Sequence, residues 1–395
     1  MSDSYVEVTH TSWFTRIRRG IGGIGTGFLL VIAAIAVLFW NEGRAVTTQR
    51  ALEEGAGLVV TVDASRLDPQ YDGKLVHFSA DLKPEGRAVD GLFTTVVAPA
   101  GALRLVRTVE MYQWQQTSRS ETRKKLGGGE EKVTTYSYNK AWSDRPIESA
   151  SFKQPSGHQN PPMPLQSETF PVKSARAGAI TLDGTAVSSL GKAEPLALTP
   201  ADGRMVRDKL GTGRPVHVQG GTMLVGAEPT APAIGDLRIS FASATVDRVS
   251  AVGEQKDGKL VAYTTTNGSR LFMLRAGDET AAAMFDSAQK SNTALTWALR
   301  IGGLLAMLAG FRLLFSIVGV LGDVVPFIGD VFRFATGMVA FALTALIGPL
   351  VIGLAWLYYR PVLALIIIAA GVAIAVGFIM LGKARARSRQ QAAAA

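Results

Sequence analysis

The apolar block at residues 297–381 constrains this chain more than any other stretch. It reads Trp297-Ala-Leu-Arg-Ile and runs on to Leu381 with few charges. One helical crossing of a bilayer takes ~20 apolar residues, so the block is long enough for three. A separate apolar run, Ile21 to Trp40, supplies one more crossing. Residues 41–296 between them are polar enough to fold in water. The chain reads as a large water-facing domain fixed to a membrane at both ends. Its segments are a cytoplasmic stretch 1–20, a first crossing 21–40, and an extracytoplasmic domain 41–296. A second crossing 297–318 follows, then a cytoplasmic turn or re-entrant segment 319–334, crossings 335–357 and 361–381, and a basic tail 382–395.

Charge sets the expected orientation. Of the net +9, residues 1–20 hold +1, the tail from Lys383 to Arg389 holds +4, and Arg300 and Arg360 hold +2, which leaves about +2 for the central domain. A nucleic-acid-binding domain carries a stronger basic stripe, so no nucleic-acid partner is expected. Arg16, Arg18 and Arg19 precede the first crossing and the basic tail follows the last. The positive-inside tendency then puts both termini in the cytoplasm and residues 41–296 outside. The first apolar run is read as an uncleaved anchor, because Asn41-Glu-Gly-Arg44 follows it with no small-x-small cleavage pattern. Gly43 is expected to let the chain turn as it leaves the bilayer. The absence of cysteine removes disulfides and thiol chemistry. A large outward domain without disulfides fits a bacterial envelope.

Residues 1–12 are polar and read as disordered or lying on the cytoplasmic face. The central domain is mostly strand. Arg104–Gln116 and Lys132–Trp142 have strand patterns and flank the charged, glycine-bearing stretch Ser118–Glu131, which suggests a hairpin with a long mobile tip and solvated charges. Gln154–Pro164, with four prolines, reads as an extended loop. Thr199-Pro200 opens a helix that closes at Gly211. Asp236–Val249, Lys259–Thr265 and Arg270–Leu274 read as three successive strands, with tight turns at Asp257-Gly258 and Asn267-Gly268. Asp278-Glu-Thr280 caps a helix running towards Trp297. The fold class expected is α+β, with a mainly antiparallel sheet. In the membrane block, Gly302, Ala306 and Gly310 recur every four residues, and Gly23 and Gly27 do the same in the first crossing. Both are stripes for close helix packing.

Motifs for chemistry are sparse. Gly20-Ile-Gly-Gly-Ile-Gly25 matches a dinucleotide fingerprint in letters only, since no strand precedes it. His10, His77, His158 and His217 are scattered without metal-ligand spacing. His158 reads as a structural loop histidine and His77 as an ordinary sheet residue. Ser287-Ala-Gln-Lys290 fits a pre-membrane helix better than a nucleophile motif. No catalytic, cofactor-binding or metal-ligating residue is assigned.

Several stretches together resemble the LUMA (transmembrane protein 43) family over nearly the whole chain. They are Phe39-Trp-Asn-Glu-Gly-Arg44, Val109-Glu-Met-Tyr-Gln-Trp114, Tyr136-Ser-Tyr-Asn139, Gly157-His-Gln-Asn-Pro161 and Gly235-Asp-Leu-Arg-Ile-Ser-Phe241. Trp297-x-Leu-Arg300, Pro326-Phe-x-x-Asp330 and Tyr359-Arg-Pro361 follow in the same order. The motif residues singled out, with no role attached, are Asn41, Glu42, Gly43, Arg44, Glu110, Tyr112, Trp114, His158, Asn160, Asp236, Arg238, Arg360 and Pro361. The resemblance implies one N-terminal and three C-terminal crossings with the large domain on the lumenal side. It also implies endoplasmic-reticulum and inner-nuclear-membrane relatives, tied to lamina and emerin partners and to nuclear-envelope organisation. It brings no catalytic residues and no cofactor. The Cys-free, Ala/Gly/Arg-rich composition looks bacterial, which suggests an inner-membrane protein. Three function classes stay open. The first is a scaffold organising membrane lipid, copies of itself or other membrane proteins. The second is an envelope enzyme with its site on the outer domain, and the third is a channel or transporter. A conducting path needs several intramembrane polar groups, and the crossings offer few.

Overall fold

The computed structural model describes residues 3–211, 213–366 and 369. Its longer elements are strands β1 (Asp3–Thr11), β2 (Leu75–Glu85), β3 (Ala102–Lys124), β4 (Glu130–Ser143), β5 (Leu237–Thr245) and β6 (Arg248–Lys256). Its helices are α1 (Trp13–Leu58), α2 (Pro200–Leu210), α3 (Ala281–Gly322) and α4 (Pro326–Tyr359), apart from a single turn at Gly184–Val187. The chain divides into two compact units. One holds residues 1–9, 51–123 and 131–288, and the other holds 10–50, 124–130 and 289–395.

The first unit is built on two sheets. One runs β1-β4-β3-β5 and then the hairpin Thr222–Val225 and Val216–Gln219. The other places β6 against β2, Met273–Ala276 and Lys259–Val261. The pairings of β2 with β6, of β3 with β5 and of the Thr222–Val225 hairpin are antiparallel, while Lys259 with Thr181 and Val60–Thr61 with Val76–His77 are short parallel contacts. The two-residue period along β3 buries Leu103, Leu105, Arg107, Val109, Met111 and Gln113 and turns Glu110, Tyr112 and Trp114 to the other face. Phe78, Phe93, Phe241, Met223 and Ile239 fill the core with them. Arg107 survives burial because Asp90 and Glu168 pair with it and the Phe93 and Phe170 rings lie 5.5 and 5.2 Å from its guanidinium carbon.

Local signals hold where they were strong. Thr199 caps α2, with Asp202 returning the bond to complete a capping box, and Gly211 ends the helix at φ 60°. Asp257 and Gly258, at φ 49° and 74°, make the tight turn between β6 and Lys259–Val261. Thr280 caps the first turn of α3 through the Ala283 amide.

Four expectations give way. Residues 3–11 are a strand of the first sheet, with Glu7 bonded to Lys153 and Tyr136 and Asp3 to His158. Tyr5, Val6, Val8, Thr9 and Thr11 favour extended backbone, and the strand sits at the edge of its sheet. Asp236–Val249 is not one strand, because the chain reverses at Val246-Asp247, with no glycine or proline to mark it, and β6 begins at Arg248. α1 does not end near Gly43 but runs on to Leu58. Gly43 is required there because a Cβ would lie 2.5 Å from the Tyr359 ring. The stretch 118–131 is strand on both sides of a short turn at residues 125–129, and its charges are not all solvated.

The second unit is helical. α1, α3 and α4 each carry an apolar stretch long enough to cross a membrane. Val31, Ala34, Leu38, Met307, Phe311, Ala340 and Val351 form its core. The fourth expected crossing, 361–381, is helical at 361–366 and 369, and its other residues lie outside the described ones, as does the basic tail. Between α3 and α4 the chain turns in three residues, Asp323–Val325, and Pro326 starts the new helix where its missing N–H costs nothing. The hairpin turn packs here. Gly128, at φ 79°, lies where a Cβ would meet the Trp13 ring at 2.3 Å, and its carbonyl accepts from Arg16 at 2.6 Å. The Gly127 amide donates to the Val324 carbonyl at 3.2 Å.

Candidate functional site

The motif residues gather into two groups, one in each unit. In the first unit, register places Arg238 of β5 opposite Glu110 of β3, and the two bond at 2.7 Å. Arg238 also lies 4.9 Å over the Trp142 ring, which packs 5.2 Å from Tyr112. Two residues on, Trp114 exchanges backbone bonds with the Asn160 side chain, at 2.7 and 3.0 Å. Asn160 thereby ties the proline-rich loop to the strand. Asp236 accepts from the Ala233 amide and from Arg214, shaping the entry to β5. His158 is buried, stacked 4.0 Å from Tyr138 and edge-on to Trp114 at 4.7 Å. Its Nδ1 faces the Gln154 carbonyl at 2.8 Å, and its Nε2 faces the Asp3 carboxylate at 2.7 Å. With both ring nitrogens bonded, this histidine ties the proline-rich loop to β1. Among the described residues no group of three His, Asp or Glu could hold a metal ion.

The second group is more polar and more deeply built. α1 and α3 are long helices, and turns of each bring Asn41, Glu42 and Arg44 against Asn292, Thr296 and Arg300. Glu42 is 2% exposed and accepts both Nε and Nη2 of Arg300 at 2.7 Å, with the Trp356 indole N–H at 2.8 Å. Such a fork-on-fork pair is the strong form of the interaction. Arg44 donates to Asn292 at 3.0 Å, Thr296 at 2.9 Å and Asn41 at 3.3 Å. Asn41 and Asn292 donate to the Thr296 and Ala45 carbonyls, so each amide bonds one helix to the other. Arg360 caps the end of α4, reaches Gln49, and is followed by Pro361 at the start of the next helical turn. A cavity of about 240 Å³ opens among these groups.

Sequence reading singled out Asn41, Glu42, Arg44 and Arg360 here but not Asn292, Thr296 or Trp356, whose letters are ordinary for a helix near a membrane. Only their position one helix away from Glu42 and Arg44 gives them a role. The packing glycines divide. A Cβ on Gly27 would lie 2.6 Å from the Gly310 carbonyl, and one on Gly310 would lie 2.7 Å from Val31. Gly23 has only ordinary contact with Ser316 at 3.7 Å, Ala306 is half-buried, and Gly302 meets nothing within 4 Å. The residue packed against α1 at that level is Gly303, on Leu38.

The family model described as Transmembrane protein 43 matches residues 111–361. The Transmembrane protein 43 of Rattus norvegicus is 30% identical over 372 residues, covering 90% of this chain and 90% of the relative. That of Homo sapiens is 30% identical over 365 residues, covering 89% and 88%. The Transmembrane protein 43 homolog of Drosophila melanogaster is 27% identical over 362 residues, covering 87% and 91%. No solved structure matches. The family model over residues 111–361 and relatives 30% identical over about nine-tenths of the chain together place the chain in the Transmembrane protein 43 family.

Proposed function

We propose that this protein is a membrane-embedded scaffold that holds protein or lipid assemblies at a bilayer through the outward faces of its helices. The division of its glycines carries the reading. Helices gain nothing from hydrophobic burial against each other in lipid, so they associate where small residues let backbones approach. Gly27, Gly303, Gly310 and Gly348 are filled by neighbours inside the unit. Gly22, Gly25, Gly302 and Gly353 meet nothing within 4 Å among the described residues, which leaves small-residue faces for a second copy or another membrane protein. Crosslinking of the full chain in native membranes tests this. Wild type is expected to give dimers or a discrete partner adduct. Gly302→Leu should reduce that product while the protein stays folded, whereas Gly310→Leu should unfold the helical unit, because a leucine has no room there. A monomer-only wild type, or an unchanged product with Gly302→Leu, removes the reading.

The basic clusters at Arg16–Arg19 and Lys383–Arg389 support an inner-membrane protein with both termini cytoplasmic and residues 41–296 across the bilayer. The pairing of β1 with β4 favours a second arrangement. A strand pairs only with a strand on its own side of a membrane, and Asp3 and Glu7 bond His158 and Lys153. Because the chain lacks cysteine, Val6→Cys and Lys192→Cys can each be labelled alone with a membrane-impermeant maleimide. Labelling of Lys192→Cys from outside and of Val6→Cys only after permeabilisation supports the first arrangement. Labelling of both from one side supports the second and ends the first.

A further inference from the structure

We propose that the cavity between α1, α3 and α4 is a binding site for the headgroup of a phospholipid, one with a phosphodiester and a hydrogen-bond donor beyond it. The inference rests on the helices lying in a bilayer and does not depend on the scaffold reading.

The cavity, about 240 Å³, is lined by Gln49, Gln289, Asn292, Trp297, Arg300 and Arg360 among others. At ~30 Å³ per water it holds several waters or one small headgroup, and it is smaller than the ~300 Å³ or more of a drug-sized pocket. Its lining is cationic on balance. Arg300 and Arg360 face one carboxylate, Glu42, and Arg44 stands behind the wall bonded to Asn292 and Thr296. Glu42 is fully engaged by Arg300 and Trp356, so it does not repel an anion as a free carboxylate would. Its grip also fixes Arg300, whose guanidinium carbon lies 4.8 Å over the Trp297 ring and 5.8 Å over Trp356. Arg360 uses one nitrogen on Gln49. Its remaining donors have no protein partner among the described residues, and they suit a phosphate oxygen.

A second group points to a donor on the ligand. The Gln289 side-chain oxygen is buried, borders the cavity, and accepts no hydrogen bond. A buried acceptor left empty is costly, so the site is complete only when something donates to it. The ammonium of an ethanolamine headgroup or the hydroxyl of a glycerol headgroup does so. A choline headgroup, which has no N–H or O–H, cannot.

The setting matches. The cavity lies where the apolar stretches of α1, α3 and α4 give way to polar residues. Trp297 is 56% exposed and Tyr358 73% exposed, which is the aromatic placement of the headgroup layer.

Native mass spectrometry of the delipidated full chain in detergent tests the assignment. The probes are phosphatidylethanolamine, phosphatidylglycerol and phosphatidylcholine with matched acyl chains, and inorganic phosphate. Ethanolamine or glycerol lipid is expected to bind at least about fivefold more tightly than choline lipid, because one charge-assisted or hydroxyl bond separates them. Arg360→Ala should weaken all lipids about tenfold. Gln289→Leu, which leaves the phosphate contacts, should abolish the preference over choline while keeping binding. Near-ultraviolet circular dichroism of each variant confirms folding, and Gln289→Leu keeps the test open should Arg360→Ala not fold. Equal binding of the three lipids by wild type overturns the proposal, as does an unchanged affinity in a folded Arg360→Ala. Inorganic phosphate binding as tightly as any lipid overturns the headgroup assignment in favour of a free phosphate.

Discussion

Replacing Glu42 with alanine is expected to destabilise the helical unit by about 3 kcal/mol or more, the usual cost of removing one partner from a buried ion pair. The Glu42 side chain is 3% exposed and that of Arg300 14%. The substitution leaves the largely buried Arg300 guanidinium and the Trp356 indole N–H without their shared acceptor. The loss belongs to the unpaired charge more than to the pair. The double variant Glu42→Met with Arg300→Met should therefore recover most of it, because two apolar side chains of similar volume need no partner. Thermal unfolding of the full-length protein in detergent reads both. If Glu42→Ala unfolds with wild type, the pair is not holding α1 to α3.

Asp323 should control the hairpin turn. Its side chain is fully buried between Arg16 at 2.5 Å and Arg333 at 2.5 and 2.8 Å, with Lys124 at 3.7 Å. Lys124 also bonds Asp330 at 2.5 Å. One carboxylate thus joins the start of α1, the α3–α4 turn and the end of β3. Asp323→Asn keeps the shape and removes the charge. The amide of Gly127, bonded to Val324, should then exchange with solvent about a hundredfold faster at neutral pH, corresponding to ~3 kcal/mol. Amides of β5 should not change. Burial works against the ionised form of Asp323, but hydrogen bonds from Arg333 and Arg16 outweigh it and hold the carboxyl below the ordinary aspartate value. Protons therefore bind the undocked state more readily. In wild type the contribution is complete above the ordinary aspartate value of ~3.9 and disappears as pH falls through the lowered one. Hydrogen exchange at residues 124–130, followed from neutral to strongly acid pH, checks the sign. Loosening that begins well above the ordinary aspartate value counts against Asp323 as the control.

The same features show how far a sequence reaches. The apolar runs inside α1, α3 and α4 were legible because a lipid-facing surface needs long unbroken hydrophobicity, and that is a property of consecutive residues. The α2 ends and the Asp257-Gly258 turn were legible because capping and positive φ are decided within four or five residues. The α+β class followed from the same local evidence.

What the tertiary structure alone decided lies at long range. Glu42 finds Arg300, Arg44 finds Asn292, and Arg16 finds Asp323 across hundreds of residues. No spacing rule announces such pairs, because they depend on which faces of separate helices meet. The four-residue stripe pointed to Gly302, yet helix rotation gave the packed position to its neighbour Gly303. Gly43 looked like a place to turn, yet the helix continues, because the Tyr359 ring needs the missing Cβ more than the chain needs a bend. Strand β1 carries a short strand signal in Tyr5, Val6, Val8 and Thr9, but its place beside β4 came only from the fold. Local chemistry fixed the elements and their ends. The choice of facing residues, and with it the polar cavity at Arg300 and Arg360, came from packing.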